Sequence, residues 1–453
     1  MPHHRLPDSK YKLGGSDVLM RALDYISSSG DGSGNTCHAA LLLNGDENSD
    51  KIEGLVKSNA ALKMLSQCRV KKSMPLSMPY WVIDKQSRLS LVWLKPQPEA
   101  KDLESFIMPV IDMGGELLRV SLCKLAAGKL VLLLSWQHTL LDAHGAELLL
   151  SELAGEKDLN IFPAETSKKK GGTKVPFIRQ LASFRRVGSK LRQLAEGDGG
   201  SNTLAQPFAA GKKALNAPPQ RIYLALSRIE TEQLWEAASK MNADLFRSAF
   251  LLALSARSVS NYLRMQSSEA NQFLVCVPHD QRKKGSLRQV AHNRLTVLFF
   301  RLLRSDLESG LQTSVSNIIS QMEQLIKGDF PGDFSRFLLF CRRLPSALYA
   351  YILQSPMKQK AFASFCFSYT GKTSLPNAVG ANDILDFKHY PPNIDPPGLS
   401  VVAFEHKNQL RLCLSFSRSL INSQEQRALK ECFQAELHAA LQKEEVILEG
   451  VHE

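Results

Sequence analysis

The run Leu130-Val-Leu-Leu-Leu134 is apolar at every position, and Lys129 to Trp136 has the composition of a strand throughout. Side chains alternate across a sheet, so a strand that is apolar on both sides must have both faces covered. This segment therefore belongs in the interior of a layered fold. It is also far shorter than the roughly 20 apolar residues that cross a bilayer. A helix is expected from Asp142 to Leu153, directly after it.

Other segments extend the pattern. Ala39–Leu43, Phe273–Val277, Leu295–Leu303, Ser364–Thr370, Ser400–Phe404 and Gln409–Ser417 read as strands. Ser227 with Glu230 predicts a capped helix to about Met241, Leu245–Val259 a largely apolar helix, and Ser423 with Gln426 a closing helix to about Leu441. Interspersed strands and helices define an α/β chain. A length of 453 residues implies two or three cooperating units, which the 44% hydrophobic content is enough to fill.

Charge suggests where the units divide. The net charge of +12 is concentrated between Lys168 and Lys213, where eleven Lys and Arg face only Glu196 and Asp198 among glycines and prolines. Within that stretch Phe177–Leu194 has helical composition. The expected division is a first lobe over 1–160, a basic crossover over 161–220 and a second lobe over 221–453. The commonest meaning of such a charge run is a solvated linker, exposed and dispensable for the core. Nucleic-acid binding is disfavoured, since only Phe177 and Phe184 accompany the charges before Phe208 and no nucleic-acid motif is present.

Eight cysteines at irregular spacing, several inside apolar runs, read as reduced core residues, and no cluster has metal-ligand spacing. Met1–Asp17 has no apolar core of a secretory signal, so a cytoplasmic location is expected.

The chemistry is concentrated in Val131-Leu-Leu-Leu-Ser-Trp-Gln-His138-Thr-Leu-Leu-Asp142-Ala-His-Gly145. A histidine at the end of a rigid strand is held in place and can face a cavity, as a general base near neutral pH requires. The residues alone leave two plainer readings open: His138 as a satisfied core histidine and Asp142 as a helix N-cap. His144 reads as a surface helix residue.

This stretch resembles the HHxxxDG motif of the chloramphenicol acetyltransferase-like superfamily, which includes condensation domains, wax ester/diacylglycerol acyltransferases and plant hydroxycinnamoyl-type acyltransferases. His138 matches the second histidine and Asp142 the aspartate; Gln137 and Ala143 replace the first histidine and the glycine, and Gly145 matches a second glycine of members reading DGxG. Pro109–Arg119 is similar to the segment leading into the motif strand. Val277-Pro-His-Asp-Gln-Arg282, His292-Asn293 and Leu295–Phe300 are similar to the "VPvDlR…GN" stretch, and Gln409–Leu441 to the C-terminal pattern. The plant DFGWG motif is missing, and Phe246-Arg247-Ser248 stands where wax ester synthases carry an Asn-Asp pair, so the subfamily stays open.

The resemblance implies two pseudo-symmetric lobes with mixed sheets and a tunnel between them. It implies acyl transfer from acyl-CoA or a phosphopantetheine thioester to a hydroxyl or amine, with no bound cofactor. His138 would be the base, Ser368 the oxyanion donor, and Gly145, Tyr369 and Gly371 neighbours of the substrate. Asp142 would form a structural ion pair with Arg282, Arg69 being the alternative. An acyl carrier protein or an anionic membrane surface would be partners suited to the basic segment. Relatives with eroded motifs also suggest the alternative of an idle docking module.

Overall fold

In the computed structural model the described residues are 11–29, 34–45, 48–72, 77–108, 111, 113, 115–155, 161, 175–196, 220–282, 290–291, 293–354, 363–392, 394, 397–416 and 421–442. Parts of Pro109–Arg119, His292, Ser417 and most of Lys168–Lys213 outside 175–196 lie beyond them.

The chain runs β1 (Tyr11–Lys12), α1 (Gly15–Ser29), β2 (Thr36–Asn44), α2 (Ser49–Ser58), α3 (Ala60–Ser66), β3 (Cys68–Lys71), β4 (Tyr80–Ile83), β5 (Ser90–Trp93), β6 (Leu118–Lys124), β7 (Lys129–Gln137), α4 (Ala143–Leu153) and α5 (Phe177–Glu196). It continues as β8 (Gln220–Ala225), α6 (Arg228–Lys240), α7 (Arg247–Met265), β9 (Gln272–Asp280), β10 (Leu295–Leu303), α8 (Arg304–Glu308), α9 (Leu311–Lys327), α10 (Phe330–Cys341), α11 (Ser346–Gln354), β11 (Phe365–Lys372), β12 (Ala378–Val379), β13 (Asn382–Tyr390), β14 (Leu399–His406), β15 (Gln409–Phe416) and α12 (Ser423–Gln442). Among these residues no helix is long and apolar enough to cross a membrane.

Two six-stranded mixed sheets form the framework, ordered β12-β13-β2-β7-β6-β5 and β10-β9-β11-β14-β15-β8, beside a small sheet β1-β4-β3. The apolar run occupies β7, flanked by β2 and β6, with Leu130 to Leu134 all at 1% exposure or less. Both faces are covered, as its composition demands. The even-numbered leucines join the main core, while Val131 and Leu133 join a smaller one closed by Leu103 and Phe106. Strand β13, late in the chain, pairs antiparallel with β2, so the first sheet is completed by a strand that arrives after most of the second sheet.

Local signals explain the helix ends. Ser227 and Glu230 form a reciprocal capping box ahead of α6, at 2.7 and 3.2 Å. At α12 the box sits one residue earlier than expected: Asn422 N–H donates to Glu425 at 2.7 Å and Glu425 N–H to Asn422 at 3.0 Å, in place of Ser423 and Gln426. Asn caps as well as Ser, so the two frames are indistinguishable by residue type.

Within the expected basic crossover, the described helix α5 is largely exposed and has one packed face. It packs on α10, with Phe184 stacked on Phe337 and tilted against Phe340, ring centroids 5.6 and 5.0 Å apart. Ser183 and Val187 are buried. Arg186 donates to both oxygens of Asp333, which also accepts from Arg336 and Ser183. These donors, Arg186 foremost, hold the Asp333 carboxyl well below its ordinary range. The helix is an integral part of the second lobe's surface layer.

Candidate active site

A cavity of about 180 Å³ lies between the two sheets. Its walls come from α1 (Leu19, Met20, Leu23), the first sheet (Cys37, His38, Trp136, His389, Tyr390) and the second (Cys276, Cys366, Ser368, Thr370, Ser400, Val402), and His138 reaches it at the end of β7. Most of the wall is apolar.

His138 is held through one ring nitrogen. Its Nδ1 lies 3.0 Å from Asn293 Oδ1, while Asn293 Nδ2 donates to His138 O at 2.8 Å and to Asp17 Oδ1 at 3.1 Å. Asp17 is a carboxylate at 0% exposure that also accepts from the N–H of Asn293 and of Gly14, both at 2.8 Å. Because Asp17 is an acceptor, the amide nitrogen of Asn293 must point to it, and the amide oxygen must face the imidazole. His138 Nδ1 therefore carries the proton, and Nε2 keeps its lone pair. Burial is the largest influence on His138 and lowers its pKa, only partly opposed by its own backbone, Asp142, Asn293 and Asp17. Burial thus favours the neutral ring, the form a base requires.

Asp142 combines the expected ion pair with the plainer reading of a helix cap. It caps α4, accepting from Gly145 N–H at 2.9 Å, and both its oxygens accept from Arg282 Nη2, at 2.9 and 2.7 Å. The Arg282 side chain is 3% exposed, and Asp280 adds a longer contact at 3.3 Å. Arg69, the alternative partner, instead donates to Ser87 and to backbone carbonyls of its own turn. The ion pair joins the motif turn of one lobe to the segment just after β9 in the other.

Ser368 and His138 share the cavity wall, but none of the three residues expected to touch substrate is part of it. Tyr369 points away because strand side chains alternate: its hydroxyl bonds Glu405 and its ring packs near Trp235. Gly371 lies beyond the cavity where the register with β14 shifts, at φ +81°. Gly145 serves packing, since a Cβ there would collide with the carbonyl oxygen of Val290.

Four features in and behind the cavity wall were not anticipated from sequence as site residues: Asn293, Asp17, the buried pair of His389 Nε2 with Glu147 at 2.8 Å, and His38 with Ser135 at 2.8 Å. Asn293 had a signal, its place in the "GN" stretch. Glu147 stands one helical turn after the cavity residue Ala143, a spacing that marks a shared face. Ser135 lies on the motif strand itself, and Asp17, His38 and His389 come from elements remote in sequence. Cys276 and Cys366 lie with their sulfurs 2.9 Å apart in the wall, and all eight cysteines are free thiols.

Two six-stranded mixed sheets with the motif histidine between them form a fold shared with solved acyltransferases and condensation domains. The solved structures it resembles include TRI3 trichothecene 15-O-acetyltransferase from Fusarium sporotrichioides, at TM-score 0.69 and 13% identity over 95% of this chain and 94% of that one. The first condensation domain of the CDA synthetase matches at TM-score 0.63 and 15% identity, covering 96% of each chain. The wax ester synthase/diacylglycerol acyltransferase from Marinobacter aquaeolei VT8 matches at TM-score 0.60 and 14% identity, over 95% of this chain and 99% of that one. No family model and no curated protein matches by sequence.

Proposed function

We propose that this protein is an acyltransferase that moves an acyl group from a thioester of coenzyme A or phosphopantetheine to a hydroxyl or amine, with His138 as general base. The observation that carries the reading is the Asp17–Asn293–His138 relay, which presents a neutral imidazole's Nε2 as an acceptor beside a largely apolar cavity. The fold supports it through two neighbours named for O-acyl transfer, although others are named for cyclization and epimerization, so the side chains must select the chemistry.

In this mechanism Nε2 takes the acceptor's proton as the oxygen or nitrogen attacks the thioester carbonyl. The carbonyl π electrons move to oxygen, and the Ser368 hydroxyl donates to that oxyanion. Collapse expels the thiolate, which recovers the proton from the imidazolium. Asp142 holds the turn and carries no proton.

The test is release of free thiol from a panel of acyl-CoA and carrier-bound thioesters, each offered with candidate alcohols and amines. Release that depends on both donor and acceptor is expected. Gln137, standing in place of the first motif histidine, favours the second reading of an idle docking module, for which thioesters would bind with no acceptor-dependent release from any pair.

A further inference from the structure

One rung of the second sheet is polar where its neighbours are apolar. In register across the strands it runs Cys276, Cys366, Ser400, Ser415, Arg221. The first three line the cavity. At the far end the Arg221 guanidinium lies over the ring of Tyr390, 5.2 Å from its centroid, and Tyr390 is again a cavity residue. Next to it Lys388 Nζ sits 4.4 Å from the ring centroid of Tyr223, whose edge meets Tyr390.

Three of these groups are buried and Arg221 is half-buried. Ser415, Tyr390 and Lys388 are 0%, 3% and 4% exposed. Among the described residues Ser415 Oγ, Tyr390 Oη, Lys388 Nζ and Arg221 Nε make no hydrogen bond. Buried polar groups are normally paired, and four orphans clustered at and behind Tyr390, the one among them that lines the cavity, point to a common missing acceptor. Nearby acids do not fill the role for Arg221. Asp386 is bound by Arg411 and, with Glu104 and Asp102, acts on Lys388. The field of Arg221 instead reaches into the cavity, where it contributes with burial to holding His38 well below its ordinary pKa.

We propose that this end of the cavity is an anion-binding subsite, holding a carboxylate or phosphate at the end of a substrate whose apolar part fills the cavity. Two cations and two hydroxyls offer only donors or rotatable O–H groups, which suits an acceptor-only oxyanion. A neutral end would leave Arg221 Nε without an anionic acceptor. Naming the ligand a substrate rests on the acyltransferase reading; the binding itself does not.

The experiment therefore measures binding. Hexanoate, hexyl phosphate and hexan-1-ol are titrated calorimetrically into the full chain, wild type, Arg221→Gln, Arg221→Lys and Lys388→Met. One of the anions is expected to bind at least about tenfold tighter than hexanol, the effect of one charge-assisted hydrogen bond. That preference should collapse in Arg221→Gln and recover in part in Arg221→Lys, which shows that the variant site is folded. Tighter hexanoate assigns a carboxylate and tighter hexyl phosphate a phosphate. Hexanol binding as tightly as both anions, or a preference unchanged in both Arg221→Gln and Lys388→Met, overturns the subsite. A persistent anion preference with no thiol release from any donor and acceptor would sink the acyltransferase reading alone.

Discussion

Replacing Asp142 tests the joint between the lobes. Its carboxylate accepts two bonds from Arg282 Nη2 at 2.9 and 2.7 Å and one from Gly145 N–H at 2.9 Å, with side-chain exposures of 3% for Arg282 and 11% for Asp142. Removing one partner of a buried pair costs about 3–5 kcal/mol, because the other charge is left uncompensated. Asp280 remains within 3.3 Å of Arg282, which places the loss at the low end, near ~3 kcal/mol. Losing the helix cap adds roughly 1 kcal/mol. Asp142→Ala should therefore destabilise by about 4 kcal/mol, and Asp142→Asn, which retains a cap, by about 3 kcal/mol. Urea unfolding followed by tryptophan fluorescence measures both. Combined with Arg282→Met, the double variant should lose less than the sum of the singles by more than about 0.5 kcal/mol, the limit of additivity for independent sites. Additivity within that limit would refute the pair. Asp142→Asn with native stability and no thiol release would refute the structural role altogether and make Asp142 a partner in catalysis.

Other outcomes follow from the same geometry. His138→Ala should lower thiol release by about 10²–10⁴-fold while circular dichroism stays native, since the ring borders a cavity. Ser368→Ala should cost at most about 10²–10³-fold in kcat, with its urea midpoint unchanged. Gly145→Ala should unfold at distinctly lower urea than wild type, because its Cβ meets backbone at Val290 that cannot rotate away. Stability should fall on acidification: burial pulls His406 from 6.5 to about 4 and lowers His38 as well, so the unfolded chain binds the extra protons. With the folded pKa below the unfolded one, stability is lost as pH drops from about 6.5 toward about 4, by up to roughly 3 kcal/mol from His406 alone. Urea midpoints that do not change between pH 7 and pH 4.5 would contradict that linkage.

What the sequence determined by itself was local or periodic. The apolar run fixed β7 as an interior strand, and the residues after it fixed where the strand ends, where α4 begins and that His138 stands between them. The resemblance of Val277–Arg282 also named Arg282 as the partner of Asp142 across 140 positions of chain. Strand parity was beyond its reach. Ser368 and Tyr369 are adjacent and equally plausible, and only the packing of β11 against the cavity decided that Ser368 faces it while Tyr369 turns to Glu405. The basic helix had the composition of a solvated linker, and its place was decided by Asp333 and two phenylalanines on α10. The protonated nitrogen of His138 depended on a bond from Asn293, oriented in turn by Asp17 from the first helix. Hydrogen bonds of that kind link groups 155 and 276 residues apart, and no pattern confined to neighbours along the chain encodes which of them will meet.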